Sequence, residues 1–135
     1  MSEFVLNSNI EADTFPVADL TLCVARLMRD ANYAWLLLVP RIAYTTEIVD
    51  LTPEHRQALM DDIVKAGAAL RQTCPCDKLN VATLGNVVSQ IHVHVIARLH
   101  NDVSWPKPVW GAVPAKPYSP GEGEALAAKL AARLK

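Results

Sequence analysis

The heptapeptide Gln90-Ile91-His92-Val93-His94-Val95-Ile96 alternates polar and aliphatic side chains with a period of two. No other stretch constrains the fold as strongly. Successive side chains of an extended strand point to opposite faces. The run therefore reads as a strand with Ile91, Val93 and Val95 on a buried face. Gln90, His92 and His94 share the other face. A row of two imidazoles and an amide is costly on a packed sheet unless something polar occupies it.

The rest of the chain supplies partners for that strand, which is expected over residues 87–98. Residues 20–28 alternate well enough for a strand, and Arg29-Asp30-Ala31-Asn32 is a turn in which Asp and Asn supply local backbone bonds. Residues 33–39 are a continuous aromatic and aliphatic run stopped by Pro40, which suits a central strand buried on both faces. These two runs form a hairpin, with residues 13–19 (containing Phe15-Pro16) as its lead-in. Thr52-Pro53-Glu54 opens the clearest helix, with a capping threonine, a proline suited to the first position and a carboxylate at the positive end of the dipole. Leu59, Ile63, Ala66 and Leu70 give it one apolar stripe, and Pro75 ends it. Residues 78–84 read as a short strand and Gly85-Asn86 as a bend. Residues 105–120 carry five prolines, which excludes regular structure. A closing helix is expected over residues 122–134, with Leu126, Leu130 and Leu134 on one side. The expectation is one α+β domain over residues 1–135, a mostly antiparallel sheet packed with one long helix and a C-terminal helix.

Composition narrows the function classes. The chain has 135 residues, 51% of them hydrophobic and 20% charged, which argues for a folded core rather than disorder. Thirteen basic side chains against fourteen acidic ones, with no polybasic run, give no compositional support for nucleic-acid binding. The N-terminus lacks a basic start followed by an apolar stretch, and the longest apolar run, residues 34–40, is too short to span a bilayer. A cytoplasmic protein without membrane association is expected. Three cysteines, an odd number, argue against a disulfide framework, and Cys74-Pro75-Cys76 is one residue short of the redox spacing.

Two histidines at i and i+2 of a strand are compatible with three roles. They can be satisfied by structural hydrogen bonds, or they can bind a transition metal, although further ligands are not obvious at His55 or His100. They can also perform phosphoryl chemistry. A neutral imidazole, with an unperturbed pKa of about 6.5, is a competent nucleophile, and a second one can donate to phosphoryl oxygens.

The context Gly85-Asn86-Val87-Val88-Ser89-Gln90-Ile91-His92-Val93-His94-Val95-Ile96 resembles the signature of the histidine triad (HIT) superfamily. That signature is Gly-Gln, three residues, then His-φ-His-φ-His-φ-φ, where φ is hydrophobic. The resemblance extends back through Leu79-Asn80, the helix from Thr52 and the strand ending in Val39-Pro40-Arg41. The tail Trp105-Pro106-Lys107-Pro108-Val109-Trp110-Gly111 looks like a bacterial branch of small HIT proteins. The resemblance implies a HIT-like fold, a homodimer and a purine nucleotide substrate, with no redox cofactor and no obligatory metal. It implies cleavage at the α-phosphate of a nucleoside phosphoramidate or dinucleoside polyphosphate. His92 would be the nucleophile that forms a covalent nucleotidyl-histidine, with His94 bonded to phosphate oxygens. A non-catalytic nucleotide-binding protein of the same fold is the alternative, and a metal-binding His-x-His protein is a third reading.

The chain departs from the signature at three places. Gln90 stands at the first triad position and cannot carry a proton at neutral pH. Asn86 stands where glutamine usually follows the glycine, and no histidine follows Pro40-Arg41. Gln90 joins His92 and His94 as a candidate catalytic residue, and Asn86 is either a phosphate ligand or a bend former. Asp30 or Asn32 occupies the hairpin position that bonds ribose in the family, where each is also a natural turn former. Arg98, on the His92 face by period-two counting, either contacts phosphate or ends the strand in solvent. Ser89 points away from that face. Trp105 and Trp110 are expected to wall the site or an interface.

Overall fold

The computed structural model describes residues 3–135. In chain order the elements are α1 (Ser8–Asp13), β1 (Thr14–Asp19), β2 (Cys23–Met28), β3 (Ala34–Pro40), α2 (Pro53–Thr73), β4 (Lys78–Ala82), β5 (Val93–Arg98) and α3 (Glu122–Arg133), with a 3-10 turn at Ile48–Asp50 before α2. The strands form one sheet in the order β1-β2-β3-β5-β4, and every neighbouring pair is antiparallel. The α+β architecture expected from the sequence is the one observed.

Alternation sorts the sheet into two faces. Val93, Val95 and Ala97 of β5 join Leu36 and Leu38 of β3 and Cys23, Ala25 and Leu27 of β2 in the main core. Leu59, Ala66 and Leu70 of α2 and Ala127, Leu130 and Leu134 at α3 pack against them. His94, Ile96 and Arg98 lie on the opposite face. That face is covered by the N-terminal segment, where Ile10 clusters with Leu37 and Val39, and by the proline-rich segment, where Val109 clusters with Trp35 and Ile96.

Local chemistry sets most element boundaries. Thr52 Oγ1 accepts from His55 N at 3.1 Å and Pro53 takes the first helical turn, so α2 starts where its capping signal lies. On the buried side of α2, Asp62 Oδ2 accepts the backbone N–H groups of Leu22 and Cys23, each at 2.9 Å. This carboxylate pins a turn (Leu20 N–H to Cys23 O, 2.7 Å), which is why β2 begins at Cys23 rather than at residue 20.

Four further points depart from the sequence reading or add to it. Residues 13–19 are not a lead-in: Thr14–Asp19 pairs with β2 as an edge strand, where Pro16 is tolerated beside a register shift between Pro16 and Ala18. A short helix, α1, precedes it, capped by Asn7, whose side chain accepts from Asn9 and Ile10. The third is at the histidine strand, where pairing begins at Val93 and not at residue 87. Ahead of it, Ile91 N–H bonds Thr45 O at 2.9 Å and His92 O accepts from Thr83 Oγ1 at 2.6 Å, so loop and side-chain groups replace ladder partners. The strand of residues 78–84 likewise pairs only through Ala82.

Candidate active site

β5 is an interior strand and entirely buried, so His94 is held by neighbours on both sides: Leu37 of β3 and Ala82 of β4 are its register partners. His92 sits just before the ladder, and the two rings approach edge to face with centroids 5.0 Å apart. Both are buried, His92 at 8% exposure and His94 at 4%.

Hydrogen bonding gives the two imidazoles opposite tautomers. His92 Nδ1 lies 2.6 Å from the Gln90 carbonyl oxygen. A carbonyl can only accept, so Nδ1 carries the proton and Nε2 keeps its lone pair. His94 Nδ1 lies 3.0 Å from Trp35 Nε1. An indole N–H can only donate, so in the neutral ring the proton of His94 is on Nε2. Burial, reinforced by neighbouring His92, pushes the His94 pKa down to about 3, so this ring stays neutral near pH 7. The pair thus offers one nucleophilic nitrogen and one neutral N–H donor.

Aromatic side chains wall the donor. Trp110 packs edge-on against His94 at 4.9 Å and against Trp35 at 5.9 Å. Trp35, Trp110 and Val109 then line a hollow of about 370 Å³ that reaches Met28, Arg29 and Asp30 at the hairpin. Asp30 is buried and its Oδ1 accepts from Asn32 N and Lys116 N, tying the turn to the proline-rich segment.

Other sequence candidates are placed elsewhere. The Gln90 side chain does not face His92 and His94 as a strand would require; it bonds the backbone of Val5 and Asn7. Arg98 is 1% exposed, and its guanidinium is committed to Asp102 (2.6 Å), Asn80 (2.9 Å) and Ser104 (3.4 Å). It neither ends in solvent nor reaches the histidines. Asn32 donates its amide to Pro114 O at 3.0 Å. Asn86 is exposed in the bend after Gly85, whose φ of +74° suits glycine. Ser89 is exposed beside Gln90. Trp105 packs edge-on against His100 at 4.9 Å rather than walling the hollow, and His55 stays in the first turn of α2. Among the described residues, no group of three or more His, Cys, Asp or Glu side chains is placed to hold a metal ion. No helix among them is long and apolar enough to cross a membrane.

Sequence reasoning missed Trp35 as the donor to His94. The signal was available: counting back by twos from Val39 puts Leu37 and Trp35 on one face of β3. It also missed the N-terminal segment as the partner of Gln90, for which no local signal exists.

An interior antiparallel strand entered through His-x-His, with one long helix packed behind the sheet, is the arrangement of a histidine triad fold. A family model of the HIT domain matches residues 9–101. The chain belongs to that family, whose members are nucleotide-binding and nucleotide-hydrolysing proteins. It is similar to the crystal structure of histidine triad protein blr8122 from Bradyrhizobium japonicum, at 40% identity over 99% of this chain and 100% of that one, with a TM-score of 0.95. A histidine triad protein from Marinobacter aquaeolei VT8 is 37% identical over 98% of this chain and 97% of that one, with a TM-score of 0.93. A hypothetical histidine triad nucleotide-binding protein from Sulfolobus tokodaii, at 16% identity over 93% of this chain and 87% of that one and a TM-score of 0.70, shares the fold. None of the curated proteins compared with the chain matches it.

Proposed function

We propose that this chain is a nucleotide hydrolase or nucleotidyl transferase that works through a covalent nucleotidyl-histidine on His92. The observation that carries the reading is the opposed tautomers: a free lone pair on His92 Nε2 beside a neutral donor, His94 Nε2–H. In the first step the lone pair attacks the α-phosphorus, an N–P bond forms, and the bond to the leaving group breaks with its electron pair on that group. The leaving group takes its proton from solvent, because the Gln90 amide has none to give near neutral pH. Water then attacks phosphorus, the N–P bond breaks, and the nucleotide leaves with His92 restored. Holding the His92 imidazole by its Nδ1–H prepays its orientation, and the His94 donor stabilises charge that grows on the phosphoryl oxygens.

The hollow beside Trp35 and Trp110 supports a purine nucleoside as the other half of the substrate. Its aromatic wall offers stacking, and Asp30 keeps Oδ2 for a ribose hydroxyl once Oδ1 is taken by two backbone N–H groups. We assign the amide of Asn86, exposed in the bend after Gly85, to the phosphates. We assign the working unit as a cytoplasmic homodimer.

AMP release from an adenosine phosphoramidate and from a dinucleoside polyphosphate, with a His92→Ala control, tests the reading. Release by the wild type alone, with a nucleotidyl adduct on His92 in a quenched reaction, is expected. AMP binding without release from either substrate would leave a nucleotide-binding protein without turnover.

A further inference from the structure

α1 ends on a carboxylate that the fold leaves unused. The backbone around Asp13 is tied on both sides. Thr14 Oγ1 donates to Ile10 O at 2.6 Å, Arg26 Nη2 donates to Glu11 O and Thr14 O at 3.2 Å each, and Asp13 O accepts Arg29 N–H at 2.9 Å. Ile10 anchors the same short helix on Leu37 and Val39. The Asp13 carboxylate itself is exposed and makes no ion pair among the described residues. It stands at the negative end of α1, where a carboxylate gains nothing from the helix. Arg29 does not neutralise it, because its guanidinium lies over the Phe15 ring, 3.8 Å from the centroid, and Phe15 belongs to the core on the other face of the sheet.

Asp13 borders the hollow that Trp35, Trp110 and Asp30 line. Strand register orders its floor. Thr14 pairs with Met28, and Leu27 with Leu36, so Met28 stands between the end of α1 and Trp35. The hollow thus runs from the aromatic wall beside His94, across Met28, to Asp13 at the sheet edge. From β5 to β1 this is three strand spacings, about 14 Å, which is comparable to the span of a nucleoside monophosphate from phosphorus to the far edge of its base. Asp30 serves the ribose in the reading above. Apart from Asp13, Asp30 and Arg29, the lining side chains are apolar or aromatic, or are lacking at Gly111. Asp13 is therefore the free acceptor placed to meet the edge of a base.

We propose that Asp13 is a specificity-determining residue that selects guanine, so that the substrates of this chain are guanosine nucleotides. The proposal rests on the nucleotide reading above and names the base. An ionised carboxylate only accepts hydrogen bonds. Guanine carries N1–H and the N2 amine side by side on one edge, and both can donate to a single carboxylate. Adenine offers one donor there, the N6 amine, beside the lone pair of N1. Against Asp13 that lone pair faces a negative oxygen, so adenine keeps one bond and meets one repulsion where guanine makes two bonds.

The test measures binding of GMP, IMP and AMP by calorimetry to the wild type, Asp13→Ala and Asp13→Asn. IMP keeps N1–H and lacks the N2 amine. The wild type is expected to bind GMP about tenfold more tightly than AMP, toward the low end for a bidentate pair because Asp13 is exposed, with IMP between them. Asp13→Ala should bring the three affinities together. Asp13→Asn offers one donor and one acceptor, which match N1 and the N6 amine of adenine, and should reverse the order. A merely structural role for Asp13 would weaken all three nucleotides alike and leave their order in place, which overturns the proposal. Equal binding of GMP and AMP by the wild type overturns it too, with the nucleotide reading intact. Binding of none of the three overturns both. Because binding needs no turnover, the order is read even from a chain that releases no nucleotide.

Discussion

His94 and Arg98 project from the same face of β5, with Ile96 between them, and both are buried polar side chains. Around Arg98 the chemistry is closed. Its guanidinium meets Asp102, Asn80 and Ser104, Ser104 shares a 2.6 Å hydrogen bond with the Tyr33 hydroxyl, and Tyr33 and Trp105 lie under the cation. Around His94 the chemistry is left open on one side. Trp35 takes Nδ1, and Nε2–H is left over on a ring whose centroid lies 5.0 Å from that of His92. Polarity on a sheet face therefore does not identify a site. What distinguishes these two regions is whether, after every internal partner is assigned, a donor or an acceptor is left over.

The sharpest break of the comparison is His92→Ala. AMP release should fall on the order of 10³-fold or more, as when a catalytic nucleophile is removed. The urea midpoint should move far less than in the next variant. Arg98→Met is the mirror case: it strands the Asp102 carboxylate without its cation and should cost about 3 kcal/mol of stability, read by urea denaturation. Turnover per folded molecule should persist. Hydrogen bonding to Arg98 holds the Asp102 pKa below its ordinary value. The stability this gives is present above the unfolded pKa and is lost as pH falls through the folded one, below about pH 4.

Trp35→Phe sharpens the other half. It keeps an aromatic wall but removes the indole N–H, so His94 is free to change tautomer. We expect kcat to fall about five- to tenfold, the worth of one hydrogen bond, with KM unchanged. Nitrogen NMR should show protonation appearing at His94 Nδ1. The last effect concerns acid. His94 protonates near 6.5 when unfolded but only at about 3 in the fold, so the unfolded state binds more protons between those values. Its contribution to stability is complete above pH 6.5 and declines toward pH 3. His94→Gln should flatten that slope in urea midpoints measured at pH 7 and pH 4, whereas Arg98→Met should leave it in place.

How much of this was legible depended on whether the deciding partner was near in sequence. The Thr52-Pro53 start of α2 is a local device and was read from local residues. The alternation through His94 revealed both faces of β5 because each face packs against a uniform environment. Where the ladder begins was hidden, since Thr45 and Thr83 decide it by bonding residues 91 and 92 from outside the strand. Pro16 made β1 look like a lead-in because proline opposes pairing in general, but not at a sheet edge. At the site, His92 and His94 were evident from spacing. The bonding of the Gln90 side chain to Val5 and Asn7 was not, because these partners lie 85 and 83 residues away. Arg98 was misplaced for the same reason: its face was right, but its acceptors come from β4 and the following turn.

Asp62, described as the pin of β2, also governs the chemistry of its neighbour. Burial first, then the charge of Asp62 and a hydrogen bond to it, push the Cys23 thiol pKa up. Cys23 is fully buried, while Cys74 and Cys76 are partly exposed. An alkylating reagent should thus count two thiols in the native protein and gain the third only when the sheet parts from α2. The chain carries its own unfolding probe, by which each variant above can be ranked by mass spectrometry without any added label.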